Sequence, residues 1–277
     1  MRVAYLGPPG TFSEEAVARC EIAREAEAVP CRTFADAYDA MFAGDVDLAL
    51  LPVENSIEGS VGAVLDLLVH RPGPLIRREL QLPVRQHLLA RPGTRLEDVR
   101  RVLSHPQPLG QCARFLRAHL GAASLEPTHS TADAAQKVAA GEPGAAAIGA
   151  RAAAARFGLA LLAEDIQDAD ENVTRFVLLA RTDEAPTGRD RTSIAFTLDR
   201  DRPGGLWEVM GEFAQRGLNL SKVESRPMKQ ALGHYVFFLD FEGHRADAAA
   251  AEALEGTRAR VHHLYVLGSY PRGDPAP

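Results

Sequence analysis

What this chain has little of narrows its function first. Only 6% of its 277 residues are aromatic, and there is one tryptophan. Three cysteines, Cys20, Cys31 and Cys112, are odd in number and lack metal-ligand spacing, so they read as reduced, partly buried thiols. No apolar run approaches the ~18 residues of a membrane span, so no membrane partner is expected. The first apolar run stops at Gly7-Pro8-Pro9-Gly10, too short for a secretory signal, and this predicts a cytoplasmic protein. That compartment leaves no use for the glycosylation pattern at Asn172-Val173-Thr174. Net charge is −6 and the arginines are scattered, which argues against a nucleic-acid partner. "GPPGTF" has neither the Gly-Lys-Ser/Thr of a P-loop nor the G-x-G-x-x-G of a dinucleotide site. No G-x-S-x-G elbow occurs. His262 and His263 are adjacent, which on a strand points them to opposite faces. No metal, no bound cofactor and no obvious nucleophile are expected.

What is present is ordinary globular material, 46% hydrophobic and 25% charged, long enough for roughly two domains. Arg2–Gly7 reads as a strand, 14–25 as a helix, "AVPCRTF" as a strand, and 35–43 as a helix stopped by Gly44. "VDLALLPVEN" is an apolar run that ends in polar residues, and helical period returns over 61–69. "LIRRELQLPVRQHLLA" reads as one or two strands. The alternation then restarts with "VRRVLS", the single helix "GQCARFLRAHL", "ASLEPTHS", "TADAAQKVAAG", "AAAIGA" and "RAAAARFG". Two such α/β units with parallel sheets and a later return segment predict two lobes with a cleft between them. The polar stretch 181–190 reads as a linker. Beyond it the order strand, helix, strand, strand, helix, strand is ferredoxin-like. The division is a domain over 1–182, a linker over 183–191 and a small domain over 192–277.

Polar clusters recur where the strands of the first domain end. They are Thr11 and Ser13; Glu54, Asn55 and Ser56; Ser104, His105 and Gln107, with Gln111 one turn on; and His129, Ser130 and Thr131. Each alone reads as a helix start, as with Ser13 before Glu14 and Glu15. Together they sit where open α/β sheets bind ligands, and hydroxyls, amides and helix N-termini suit an anion.

These residues carry a resemblance. "YLGPPGTFSEEA", "LLPVENSIEGSV", "SHPQPLGQC" and "TRF" occur in this order in prephenate dehydratases. "RPGGLWEV", "FAQRGLNLSKVESRP" and "YVFFLDFEG" resemble the ACT regulatory domain joined to that enzyme. The resemblance covers residues 2 to about 270 and includes no chorismate-mutase segment. It implies an α/β fold with a two-lobed, periplasmic-binding-protein-like catalytic domain and a βαββαβ ACT domain. It implies loss of carbon dioxide and water from prephenate to give phenylpyruvate, with L-phenylalanine as feedback effector and a homodimer or homotetramer as the assembly. The alternatives are an arogenate dehydratase and a non-catalytic amino-acid sensor.

Residue by residue, the resemblance gives Thr174 of Thr-Arg-Phe the catalytic role, as a hydrogen bond to the departing oxygen. Asn55, Ser104, Gln111 and Thr131 match pocket positions, with Thr11, Ser13, Ser56 and Ser130 beside them and Glu54 behind. Arg175 either holds a substrate carboxylate or pairs with the acidic stretch 168–171. His129 stands where many relatives have an acid. The effector residues would be Gly205, Leu206, Asn219, Leu220, Glu224 and Ser225. Trp207 replaces the usual Val and reads as a core or interface aromatic.

Overall fold

The structure, a computed structural model, describes residues 1–71, 73–141, 143–198, 203–228 and 234–273. In chain order its elements are β1 (Arg2–Leu6), α1 (Phe12–Arg19), β2 (Glu27–Cys31), α2 (Phe34–Ala43), β3 (Leu48–Asn55), β4 (Gly59–Ser60), α3 (Gly62–His70), β5 (Leu75–Pro83), β6 (His87–Ala90), β7 (Arg101–Ser104), α4 (Pro106–Gln111), α5 (Ala113–His119), β8 (Ser124–Pro127), α6 (Thr131–Ala140), β9 (Ala145–Gly149), α7 (Arg151–Phe157), β10 (Ala160–Ala163) and β11 (Val173–Ala180). They continue as β12 (Asp190–Thr197), α8 (Gly205–Ala214), β13 (Leu220–Pro227), β14 (Tyr235–Glu242), α9 (Ala248–Arg258) and β15 (His263–Pro271). No helix long and apolar enough to cross a membrane occurs among the described residues.

Local sequence explains most of these boundaries. Thr33 accepts from the Asp36 N–H while the Asp36 carboxylate accepts from the Thr33 N–H, so a capping box opens α2; Gly44 closes it at φ 84°. Two helices depart from expectation. α1 stops at Arg19 because Cys20 turns to extended backbone and buries its side chain. The helix expected across Cys112 breaks there into α4 and α5. Asp168 explains the break. Its N–H donates to the Gln111 carbonyl at 2.6 Å, and its carboxylate accepts the Arg114 N–H at 3.0 Å. The groups that would continue one helix are thus taken.

By its contacts the chain divides into two compact units, 1–61 with 81–176, and 62–80 with 177 onward; the boundary falls inside β5 and β11. The first unit contains two lobes. One is built on β2-β1-β3-β11-β5, with β1 parallel to β2 and β3; the other on β10-β6-β9-β7-β8. The second sheet is mixed where parallel sheets were expected. β6, which brings the chain into this lobe, runs antiparallel to β9 and β10, while β7 is parallel to β8 and β9. Its central strands β6, β7 and β9 bury apolar side chains on both faces. Leu88, Val102 and Ile148 pack under Leu116, and Leu89, Leu103 and Ala147 pack under Val138 and Ala153.

In the second unit β13-β14-β12-β15 form an antiparallel sheet in the expected βαββαβ order. α8 and α9 cover it through Phe196, Val209, Phe213, Leu239, Phe241 and Leu254. The same unit holds α3 and the start of β5. The Glu79 side chain, fully buried, accepts from Arg191 Nη1 at 2.6 Å and from the Gly273 N–H at 2.8 Å. Gly268, at φ 146°, lies so close to Ile76 that a Cβ would overlap the Ile76 backbone. The segment read as a linker is pinned: Asp183 accepts from Arg245 and from the Ser269 N–H, and Glu184 from Arg77. His262 lies ahead of β15 and its ring is 4.1 Å from that of His263, so strand alternation does not separate the pair as expected.

Candidate active site

A cleft of about 250 Å³ lies within the first unit. Phe12, Asn55 and Thr174 reach it from the first lobe's elements. His105, Gln107, Gln111, His129, Ser130 and Thr131 reach it from the second. Val84, Gln86 and Asn172 come from the segments that cross between them.

The hydrogen bonds here have a fixed sense. Asn55 Oδ1 accepts the Ile57 and Glu58 N–H groups, each at 3.0 Å. Its Nδ2 must therefore face the other way, and donates to Asn172 Oδ1 at 2.8 Å and to Thr174 Oγ1 at 2.9 Å. Asn172, only 2% exposed, then presents its own Nδ2, which donates to Gln111 Oε1 at 3.3 Å. Gln111 Nε2 in turn donates to Glu58 Oε1 at 3.4 Å. Because Thr174 Oγ1 already accepts a hydrogen bond, its proton is left to donate into the cleft. A hydroxyl that accepts one hydrogen bond also donates more strongly.

The second lobe contributes donors as well. Ser130 caps α6 by accepting the Asp133 N–H at 3.0 Å. The first-turn N–H groups of Thr131 and Ala132 are then the open positive end of that helix. His105 Nδ1 accepts the Gln107 N–H at 3.3 Å, so the neutral ring carries its proton on Nε2. Cys112, next to Gln111, is no nucleophile: burial pushes its thiol up to about 12.

The structure brings five of the expected residues, Asn55, Gln111, Ser130, Thr131 and Thr174, to one cleft. It takes six others elsewhere. Ser104 is fully buried and donates to the Ile148 carbonyl at 2.8 Å, tying β7 to β9. Ser56 donates to the Glu171 carbonyl at 2.7 Å and accepts the Val173 N–H at 3.0 Å, a clamp between backbones. Thr11 is the N-cap residue of α1 and its hydroxyl points back to the Leu6 carbonyl, while Ser13 is buried within that helix. Arg175 pairs with Glu54 at 3.7 Å, and Asp168 of the 168–171 stretch pairs with Arg114. Sequence reasoning missed Phe12, Val84, Gln86 and Asn172 of the cleft lining, and Asn172 is the one hydrogen bonded to both Asn55 and Gln111. Its signal was its place two residues before Thr174, on the same side of an extended chain.

In the second unit, Gly205 and Leu206 open α8 behind Gly204 at φ 83°, and Asn219 lies just before β13. β13 alternates, with Leu220, Lys222, Glu224 and Arg226 half-buried and Ser225 on the exposed face. Glu224 and Ser225 therefore do not share a surface. The Glu224 carboxylate lies 3.1 Å from Lys222 Nζ and 3.8 Å from Arg226 Nη1. Trp207 is 76% exposed, so it is no core residue.

Two α/β lobes around an amide-lined cleft, followed by a ferredoxin-like module, define a small-molecule enzyme domain with an attached regulatory domain. The prephenate dehydratase family model matches residues 3–184 and the ACT domain model matches 192–258. A prephenate dehydratase from Mycolicibacterium vanbaalenii is 41% identical over 98% of this chain and 91% of its own. Arogenate dehydratase 2 from Petunia hybrida is 42% identical over 98% of this chain and 72% of its own. A crystal structure of the Arthrobacter aurescens prephenate dehydratase in complex with L-Phe superposes with a TM-score of 0.91 at 40% identity, covering 100% of this chain and 92% of that one. The chain belongs to the prephenate dehydratase family.

Proposed function

We propose that this chain converts prephenate to phenylpyruvate and is inhibited by L-phenylalanine bound at its ACT domain. The observation that carries the reading is the Asn55–Thr174 hydrogen bond, in which the cleft-lining threonine hydroxyl accepts and keeps its proton to donate. Prephenate is a dianion. Its ring carboxylate leaves as carbon dioxide, the electron pair of that bond aromatises the ring, and the carbon–oxygen bond to the 4-hydroxyl breaks. One proton taken up turns the leaving hydroxide into water. The substrate supplies its own electron sink, and the protein must hold both carboxylates and stabilise the charge that moves onto oxygen. Thr174 donates a hydrogen bond to the departing oxygen. Gln111, His105 and the N-terminus of α6 offer donors to the carboxylates. Ser104, Ser56 and Glu54 with Arg175 shape the walls behind them.

The effector site is assigned to the start of α8 and to β13, with Gly205, Leu206, Asn219, Leu220 and Glu224. The Arthrobacter aurescens relative crystallised with L-Phe supports this effector. A homodimer or homotetramer is assigned as the working form. The sheet's edge strand β13 exposes Val223, and Trp207 and Tyr235 are also exposed. Three cysteines that form no disulfide suit a reducing compartment, and we assign the reaction to the cytoplasm. The test is to give the purified chain prephenate and arogenate separately and follow both aromatic products. Turnover of prephenate supports the reading. Turnover of arogenate alone, as the petunia relative's name would suggest, replaces it, and turnover of neither removes it.

A further inference from the structure

We propose that Asn172 is a positioning residue for the reaction, the link that orients Gln111 of one lobe and Asn55 of the other around Thr174. The inference rests on the dehydratase reading. Asn172 is 2% exposed, and both ends of its amide are used. Its Oδ1 accepts from Asn55 at 2.8 Å and its Nδ2 donates to Gln111 at 3.3 Å. An amide is the side chain of this size that accepts on one side and donates on the other. That asymmetry fixes the sense of the next member. Gln111 must show Oε1 to Asn172 and therefore Nε2 to Glu58, at 3.4 Å, with one N–H left over for a ligand. If Asn172 could not donate, Gln111 would turn over. It would then aim its carbonyl oxygen at the Glu58 carboxylate and towards an anionic substrate.

Asn172 also stands at a boundary. A second cavity of about 530 Å³, lined by Ile57, Glu58, Gln167 and Asp168, shares Gln107, Gln111 and Asn172 with the 250 Å³ cleft. The hydrogen-bonded Asn172 and Gln111 line both spaces, and Glu58 lines the larger one. The geometry is that of a side chain acting through its neighbours: Thr174 is reached from Asn172 only by way of Asn55.

Asn172→Asp tests this without changing shape. A carboxylate still accepts from Asn55 but cannot donate to Gln111. At a buried position its pKa is raised, so it becomes protonated within the working range. The protonated acid again accepts on one oxygen and donates from the other. The expected result is that kcat of Asn172→Asp on prephenate is reduced about 100-fold at pH 8.5, with a smaller change in KM, because misplaced groups cost turnover first. Activity then recovers as pH falls towards about 5.5, after subtraction of the enzyme-free rate. Asn172→Ala should be equally slow and show no such recovery. A pH profile of Asn172→Asp that merely parallels the wild type, or an Asn172→Ala enzyme with wild-type kcat, overturns the proposal. If Asn172→Ala does not fold, the Asn172→Asp profile alone decides. The wild-type protein in the same assay separates the two levels: if it does not turn over prephenate, the dehydratase reading fails instead.

Discussion

Asn55 holds Thr174 at the wall of the cleft that both residues line: Nδ2 donates to Oγ1 at 2.9 Å while Oδ1 is occupied by the Ile57 and Glu58 N–H groups. The relationship has a direction, and the direction can be reversed. In Asn55→Asp one oxygen keeps the two backbone N–H groups. The other faces Thr174 as an acceptor, so the hydroxyl swings round to donate to it and is lost to the substrate. We expect kcat to fall on the order of 100-fold, the size of losing one transition-state donor. Unfolding temperature should stay within a few degrees of wild type. Steady-state kinetics and a thermal melt check the two halves.

His87 supplies a pH dependence of stability. It is 4% exposed, its Nδ1 accepts the Asp165 N–H at 3.2 Å, and burial lowers its pKa below the usual histidine value. The folded state therefore binds fewer protons here than the unfolded chain does. The contribution is fully present above the unfolded pKa of about 6.5 and is lost as pH falls from there through the folded value. Denaturant titrations of the wild type should show stability dropping over that interval. His87→Asn, which keeps an acceptor and cannot titrate, should show a shallower drop. Equal slopes would remove His87 as the cause.

Arg191→Met should destabilise the protein by about 3–5 kcal/mol, because it takes the guanidinium away from the buried Glu79 carboxylate. Replacing both, as Glu79→Leu with Arg191→Met, should recover most of the loss. Chemical denaturation of the single and double variants gives the comparison. The pair also bears on where the chain can be cut. A chain ending at Thr182 lacks Arg191, Gly268 and Gly273, all of which pack on β5. It should turn over prephenate without response to phenylalanine, and melt at a lower temperature than the full chain.

Glu224→Ala should shift phenylalanine inhibition to roughly ten- to hundredfold higher concentration, the loss of one charged hydrogen bond worth about 1.5–3 kcal/mol. Inhibition is measured relative to each protein's own uninhibited rate. Lys222 and Arg226 flank this carboxylate, so part of the shift would come from their rearrangement. An unshifted curve would take Glu224 out of the effector site.

Much of this was legible in the sequence because the signals were periodic or local. The strand, helix and turn order followed from apolar spacing and from stops such as Gly44, and the ferredoxin-like order of the last 80 or so residues followed the same way. What was not legible depended on partners distant in the chain. The break at Cys112 needs Asp168, more than fifty residues away, and nothing in "GQCARFLRAHL" announces it. Ser104 and Ser56 look like site hydroxyls at strand ends, yet each satisfies a backbone group of another strand or segment. Asn172 was hidden by a pattern that had a duller name. Its role follows from two amides brought to it from positions 55 and 111.

The central claim is that the Thr174 hydroxyl assists the leaving oxygen of prephenate. Thr174→Val keeps the shape of the side chain, at a strand start where valine is welcome, and removes only the hydroxyl. The measurement is phenylpyruvate formation from saturating prephenate by the full-length wild type and by Thr174→Val, with folding matched by circular dichroism. The account predicts a kcat at least 100-fold lower for the valine protein with KM changed by only a few-fold, and recovery of much of the rate in Thr174→Ser. Wild-type kcat in a folded Thr174→Val protein would contradict it.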